Sequence, residues 1–333
     1  LALERCGSAQ AALETIVALL SEHGQGGPCG FEDKNLFYHN SFLIADPGEA
    51  WVLETAGPMW AAKRASDSYA ISNGLTIGEE YEESHPGLVE TARRRGWLKE
   101  GQTFHFARCF SDWFYTTFRA CRKRRARTEE LLRRKLSAAK AMAILRDHGG
   151  VEPYQPDSHL LMGFVCAHSA NGLARHAAQS TGSLVARLSK EQSVFWLTGT
   201  SAPCTGVFKP VWLAGQVLPE LGPAPKGQYN RKTLWWRHED LHRRILIDYP
   251  TRILAIRVEQ QALEEDFLAK AQAAATPKKR FALTEEAFRR SREAEEAWLG
   301  IVDQTPPQKK PGLVYQRYWS SQNRAAGMEL PGS

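Results

Sequence analysis

FYHNSFLIADPGEAWVLETAGPMWAAKRASDSYAISNGLTI, residues 37–77, is the stretch that decides the fold, because short apolar runs alternate with turn residues along it. The first turn, Asp46-Pro47-Gly48, combines a proline that presets φ with a glycine that accepts a positive φ. Gly57-Pro58 forms a second break of the same kind. The runs between the breaks predict an antiparallel meander of short strands at residues 42–45, 51–55, 59–62 and 69–71.

The segments on either side of this meander differ in character. Upstream, Ser8 is placed to cap a helix whose apolar residues repeat at helical spacing as far as Gly24. Downstream, residues 160–213 contain apolar and aromatic runs bounded by Gly, Ser or Pro, which predict further strands. Residues 231–303 carry apolar stripes at helical spacing, and such stripes must be buried.

These patterns predict an α+β fold in four parts. Residues 1–214 form the main domain, and the Pro- and Gly-rich residues 215–230 form a linker or long loop. Residues 231–303 form a helical extension that docks on the main domain or on a second copy of the chain. Residues 304–333 form a weakly ordered tail.

Composition narrows the class of protein. A chain of 333 residues can bury a substantial core, and 43% hydrophobic with 24% charged residues is typical of a soluble globular protein. No apolar run reaches the roughly eighteen residues of a membrane span, and the first residues do not read as a signal peptide. Six cysteines without regular spacing are typical of reduced thiols, which predicts a cytoplasmic protein.

A basic run raises the question of nucleic-acid binding. Six cations lie between Arg119 and Arg127, and four aromatic residues precede them at positions 113–118. Such interleaving can serve phosphate contact and base stacking. No RNA- or DNA-binding motif accompanies the run, so the solvated face of an amphipathic helix is the favoured interpretation, and we expect no nucleic-acid partner.

The glycine-rich loop at residues 24–30, GQGGPCG, invites a comparison with phosphate-binding loops. It lacks the Gly-Lys-Ser/Thr ending of such loops and follows no strand, so a connector is the favoured interpretation. Cys29 lies in this loop, but it is not N-terminal and has no recognisable partner residue. We therefore do not take Cys29 as a nucleophile.

A zinc site must be weighed for Cys166 and His168, which have His159 and Cys204 near them in sequence. Structural zinc sites usually show paired CxxC or HxxxH spacings, and residues 159–204 contain neither. On a strand, Cys166 and His168 would point to the same face, which favours a partly buried pair with its hydrogen bonds satisfied. We expect neither a metal ion nor another cofactor.

Several ordered blocks of sequence carry a family resemblance. Inside the meander they are YHNSFLIAD, EAWVLETAG, WAAKR and ISNGLTIG. Outside it they are EHGQGG at 22–27, HPGL at 85–88, RGW at 95–97, ILRDH at 144–148, QSTGSLVARL at 179–188, LTGT with VFKP at 197–210, and RHEDLHRR at 237–244. In this order the blocks resemble the secernins and related dipeptidases, which are cysteine-type N-terminal-nucleophile hydrolases.

The resemblance implies an αββα four-layer sandwich that hydrolyses amide or peptide bonds, with a small peptide or amide as substrate. In that family the nucleophile is an N-terminal cysteine whose own α-amino group acts as the base. The early strands that carry this cysteine have no counterpart among residues 1–333. Because the chain begins at Leu1, we expect it to be an N-terminally truncated member without hydrolytic activity.

Asn73 is the residue that the resemblance implies for catalysis. In the wider cysteine branch of this superfamily, an asparagine donates to the oxyanion after a strand that ends in a small hydroxyl residue. Ile71-Ser72-Asn73-Gly74 matches that position. An amide donates without charge, and glycine lets the backbone turn sharply behind it. The other interpretation is a hairpin turn, for which Asn-Gly is a common signal.

Three more residues are candidates for substrate binding. Thr181 and Ser183 belong to the TGS segment, which the family places on a strand near the cleft. They could donate hydrogen bonds to substrate, or they could be structural. Glu54 could pair with a substrate ammonium group, or it could be a solvated outward residue.

Three functions of different classes follow from these patterns. The leading one is a cysteine-type dipeptidase or amide hydrolase. The second is a secernin-like interaction protein that acts in secretion without catalysis. Separately, the C-terminal helices could form a homo-oligomer. The third is a nucleic-acid-binding module centred on the basic run.

Overall fold

A computed structural model describes residues 1–27, 34, 39–111, 120–133, 135–158, 163–169, 179–213 and 218–330. The protein is a mixed α+β structure that divides into two compact units, Leu1–Lys135 and Leu136–Ser333. Among the described residues, each unit contains one small antiparallel sheet. The predicted linker at 215–230 falls inside the second unit.

The first unit is built on the meander. Three strands pair antiparallel in chain order, β1 (Ser41–Ala45), β2 (Ala50–Ala56) and β3 (Met59–Arg64). The predicted meander is therefore confirmed for its first three strands. Its turns lie where proline and glycine occur, and Gly57 has a φ of 59°, which glycine adopts without strain.

The prediction of a strand at residues 69–71 was wrong. The fourth strand is β4 (Glu83–Ser84), which pairs with the free edge of β3. Tyr69 and Ile71 instead pack against the apolar cluster on one face of the sheet, and this contact takes the segment away from the edge. The only pairing nearby is an isolated bridge between Ser72 and Gly74.

Helices cover both faces of this sheet. Alternate residues of β2 point to opposite faces, so the strand contacts the helices on both sides. Trp51 and Leu53 pack against α2 (Ala9–His23), which follows the short α1 (Ala2–Arg5). Val52 lies in the cluster of the other face, together with residues of α3 (Leu88–Arg94) and α4 (Phe106–Phe110).

The predicted first helix is confirmed at both ends. Ser8 caps α2 by accepting a hydrogen bond from the Ala11 amide at 3.2 Å, and the helix ends before Gly24. The basic run is also helical, in α5 (Cys121–Leu132). Arg125 pairs with Glu129 at 2.8 Å within that helix. The aromatic residues before the run, and Cys29, lie outside the described residues.

The second unit contains the strands β5 (Leu184–Arg187), β6 (Val194–Leu197) and β7 (Lys209–Val211), which pair antiparallel in chain order. They agree with three of the runs predicted between residues 160 and 213. The run LMGFVCAHS, at 161–169, was also predicted to be a strand, but its described part, residues 163–169, is irregular. The helix α6 (Ala138–Leu145) begins this unit.

Four helices end the chain: α7 (Leu234–Ile245), α8 (Tyr249–Ala273), α9 (Pro277–Gln304) and α10 (Leu313–Ala326). Their apolar stripes are buried as predicted, because Leu241 and Phe267 lie in one core cluster with Trp196 of the sheet. The tail that we expected to be weakly ordered contains α10, since Tyr315 and Trp319 are anchored in the same cluster. None of the described helices has the length and apolar composition needed to cross a membrane.

Candidate functional site

A buried carboxylate holds the segment around Asn73 against strand β2. Glu54 is fully buried, and both of its oxygens accept hydrogen bonds from the Thr76 amide, at 2.8 and 2.6 Å. It also accepts from the Thr76 hydroxyl at 2.5 Å and from the Ile77 amide at 2.8 Å. Burial raises the pKa of Glu54 above its ordinary value, against the opposing effect of these hydrogen bonds. Glu54 is thus not a solvated outward residue, and its oxygens face the chain's own backbone.

Asn73 is exposed, and an arginine of α5 fixes the orientation of its side chain. Arg124 donates from Nη2 to Asn73 Oδ1 and also to Ser72 Oγ at 3.2 Å. Among the described residues, none accepts a hydrogen bond from Asn73 Nδ2. The acceptor end of the amide is therefore held by the protein, and its donor end is left for another molecule.

A cavity of about 280 Å³ lies beside this segment. One wall is formed by residues next to Asn73, and the other by α5 with Cys121, Arg122, Arg125, Ala126 and Glu129. A Cβ atom on Gly74 would lie 3.1 Å from Cys121 Sγ, so glycine permits the close approach of the helix. Arg125 at this wall is paired with Glu129, and Arg122 adds a second guanidinium group, which suits a ligand that carries a carboxylate.

Thr181 and Ser183 lie in the second unit, whereas Glu54 and Asn73 lie in the first. The Thr181 carbonyl accepts a hydrogen bond from Trp235 Nε1 at 3.2 Å. The Ser183 amide donates to Thr198 Oγ1 at 3.0 Å, next to the pairing of β5 with β6. In the first unit, the structure brings Glu54 to the Asn73 segment. In the second unit, it brings Thr181 to helix α7.

Two histidines and two cysteines converge in the second unit. His148, Cys166, His168 and Cys204 are all buried, and their ligand atoms lie within 4.8 Å of one another. The Nε2 atoms of His148 and His168 are 3.1 Å apart. Cys166 Sγ lies 3.5 Å and Cys204 Sγ lies 3.4 Å from the same His168 Nε2.

Backbone hydrogen bonds fix the segments that carry these four side chains. The Cys166 amide donates to the Asp147 carbonyl at 3.1 Å, which ties its segment to the residue before His148. The Ser180 amide donates to Ala167 O at 2.9 Å, and the Ala202 amide donates to Ser180 O at 2.8 Å. This chain of contacts connects the segment of Cys166 and His168 to the loop of Cys204, between β6 and β7.

A second layer of polar residues on α7 orients His168. His168 Nδ1 lies 3.1 Å from His242 Nε2, and His242 Nδ1 lies 3.2 Å from Glu239 Oε2. Glu239 also accepts from Arg243 Nε at 2.8 Å. Burial raises the pKa of Glu239, but the charges of His242 and Arg243 more than offset this effect and hold the pKa below its ordinary value. The carboxylate is therefore ionised at neutral pH.

Aromatic rings close the cluster on its other side. The ring of His148 stacks on that of Tyr154, with centroids 3.8 Å apart and planes 7° apart, and Tyr249 lies edge-on to both. Burial raises the pKa of both thiols. The hydrogen bond from Cys166 and the charge of His168 nevertheless bring the pKa of Cys204 well below its ordinary value, while that of Cys166 stays well above.

Sequence reasoning found half of this cluster. The expected buried pair of Cys166 and His168 is confirmed by their contact. Cys204 was noted only as a neighbour in sequence, although it lies between the blocks LTGT and VFKP. His148 was missed, although it is the last residue of the block ILRDH. His242 was missed as a partner too, although it ends an HxxxH spacing within RHEDLHRR. His159 lies outside the described residues.

No family model matches the chain. Its function must therefore be inferred from the residues of these two sites and from the sequence blocks.

Proposed function

We propose that this chain is part of a secernin-like amide or dipeptide hydrolase in which Asn73 donates a hydrogen bond to the oxyanion. The observation that carries this proposal is the orientation of the Asn73 amide. Arg124 holds Oδ1, and Nδ2 has no acceptor among the described residues. The amide lies on the segment that borders the cavity against α5.

The chemistry needs such a donor. When a thiolate attacks an amide carbonyl, negative charge develops on the carbonyl oxygen, and a neutral donor held in advance stabilises that charge. Glu54 contributes by fixing the Thr76 and Ile77 amides, so that the segment does not move when the oxyanion forms. Arg122 at the cavity would attract the carboxylate of a small peptide, whereas Arg125 beside it is paired with Glu129.

Two parts of the proposal rest on the resemblance alone. It supplies the nucleophile as an N-terminal cysteine, with the α-amino group of that cysteine as the base. It also supplies the four-layer sandwich of the superfamily, which the two small sheets of the described residues do not show. Thr181 and Ser183 stay candidates for substrate contact on the same basis.

The test is hydrolysis of a panel of dipeptides by the full-length protein, as wild type and as Asn73→Ala. We expect kcat to fall by about a hundred- to a thousandfold, with a smaller change in KM, because the donor acts mainly in the transition state. Asn230→Ala is the matched control, since Asn230 is an exposed turn residue of the second unit. Unchanged turnover in Asn73→Ala would reduce that residue to a turn former. No thiol-dependent hydrolysis by the wild type would favour the non-catalytic interaction protein.

A further inference from the structure

The cluster of the second unit carries an inference that does not depend on the proposed hydrolase. We propose that His148, Cys166, His168 and Cys204 bind one zinc ion in a closed, structural site. All four side chains are buried, and their ligand atoms already face one another. Zinc in proteins prefers this set of donors, two thiolates and two imidazole nitrogens.

The distances from His168 Nε2 to the other three ligand atoms are close to those of a tetrahedral site. With Zn–N bonds near 2.05 Å and Zn–S bonds near 2.3 Å, tetrahedral angles separate two nitrogens by about 3.3 Å and a nitrogen from a sulfur by about 3.6 Å. The two Nε2 atoms are 3.1 Å apart, and the two N–S distances are 3.5 and 3.4 Å. The remaining ligand atoms all lie within 4.8 Å of one another, so a single ion at the centre could draw all four to bonding distance.

Hydrogen bonds alone do not explain this arrangement. An imidazole nitrogen can make one strong hydrogen bond, either as donor or as acceptor. Three groups nevertheless converge on His168 Nε2, while Nδ1 of the same ring is occupied by His242. A cation accounts for the convergence, because each of the four atoms then directs a lone pair to the metal.

The surroundings of His168 match those of a metal-ligating histidine. Such histidines usually donate their second ring N–H to a partner that fixes the tautomer and the ring orientation. Here His168 Nδ1 faces His242, and His242 in turn faces the ionised Glu239. When His242 donates its Nδ1–H to Glu239 and accepts the Nδ1–H of His168, the Nε2 atom of His168 keeps a lone pair that faces the cluster.

Four protein ligands leave no open coordination position, so the ion would stabilise the fold and would not activate water. The ligands come from three separate segments, at residues 148, 166–168 and 204. Binding would therefore tie the end of α6 to the loop between β6 and β7. Metal binding of this kind is coupled to folding.

The first experiment measures the zinc content of the purified protein by mass spectrometry. We expect about one zinc per chain, and a loss of most of it in Cys166→Ser and Cys204→Ser. Cys109→Ser is the matched control, because Cys109 is a buried cysteine of the first unit and should leave the zinc content unchanged. Zinc below one tenth of the chain concentration, or equal zinc in all four proteins, would overturn the proposal.

A second experiment covers variants that fail to fold. We expect wild-type protein refolded with Co²⁺ to show a thiolate-to-cobalt charge-transfer band and the intense d–d bands of a tetrahedral site. His148→Cys keeps four donors and should retain the metal, with a stronger charge-transfer band. Alkylation should label Cys166 and Cys204 more slowly in protein refolded with zinc than in protein refolded without metal. A disulfide between these two cysteines, or their alkylation at equal rates after refolding with and without zinc, would contradict the assignment.

Discussion

Arg146 and Glu264 form a bidentate ion pair that joins the end of α6 to the middle of α8, with N–O distances of 2.7 and 2.5 Å. Arg146 also donates to Pro203 O at 2.7 Å and to Gly206 O at 3.0 Å, on either side of Cys204. The pair therefore holds the loop that carries Cys204 in place.

Removal of the guanidinium should destabilise the second unit. Arg146→Met leaves Glu264 charged and nearly buried without its partner, and breaking a buried pair in this way costs about 3–5 kcal/mol. Urea unfolding measures the change in the free energy of unfolding. Arg289→Met is the control, because the pair of Arg289 with Glu293 is exposed and contributes little. Equal destabilisation by both variants would show that the pair does not hold the loop.

Asn73→Asp removes the Nδ2 donor of Asn73 but keeps the side-chain oxygen that accepts from Arg124. Aspartate keeps an oxygen for Arg124 but replaces Nδ2 by a second, negatively charged oxygen, which would repel the oxyanion. If the full-length protein is a hydrolase, we expect kcat to fall at least as far as in Asn73→Ala. Thermal unfolding should stay unchanged or shift upward. Full activity of the aspartate variant would exclude Asn73 as the oxyanion donor.

The burial of Lys209 predicts that the free energy of unfolding rises with pH in the alkaline range. The side chain is buried and donates to Val207 O at 2.7 Å, and burial lowers its pKa from 10.5 to about 8. Between these two values the unfolded chain binds the proton and the folded chain does not. Since the unfolded state then holds more protons, the free energy of unfolding rises with pH, by about 3 kcal/mol in total.

The measurement compares urea unfolding of the wild type and Lys209→Met at pH 8 and at pH 10.5. Methionine removes the titrating group, so the wild type should gain stability relative to this variant as the pH rises. Lys278→Met, at an exposed position of α9, should follow the wild type at both values. If the wild type loses stability relative to Lys209→Met in this range, Lys209 is not held neutral.

The cap of α2 allows a smaller test in the first unit. Ser8→Ala removes the oxygen that accepts from the Ala11 amide, which should cost about 1 kcal/mol. Hydrogen exchange of the amides in α2 should report the loss. Ser66→Ala, in an exposed loop, should leave this exchange unchanged. Faster exchange in both variants would point to a cause other than the cap.

Local chemistry explains what could be predicted from the sequence. The turns at Asp46-Pro47-Gly48 and Gly57-Pro58 define three strands, and Ser8 with Gly24 defines a helix, because each signal acts within a few residues. The docking of the C-terminal helices was also predictable, since an apolar stripe must be covered. No local feature showed that residues 69–71 do not form a strand. Their conformation is set by contacts of Tyr69 and Ile71 with distant segments of the core.

Contacts between distant segments explain what could not be predicted. Glu54 could be taken for an outward residue because of its charge, but it shares the face of Val52, and both faces of the sheet are covered, so a polar side chain on β2 is buried on either face. The four residues of the proposed zinc site lie in three segments, and no paired spacing connects them. The tail was expected to be weakly ordered as a terminal segment, yet Tyr315 and Trp319 supply enough apolar area to anchor α10.

Burial of the ligands also sets how fast a bound ion could leave. Cys166 and Cys204 are 0% and 1% exposed, so no incoming water or chelator can reach the coordination sphere while the second unit is closed. Release then requires the unit to open, and its rate is limited by that opening and not by the affinity of the ligands. An ion acquired during folding would then stay until the unit opens. If zinc binds as proposed, this burial makes the protein unsuited to passing the metal to other proteins.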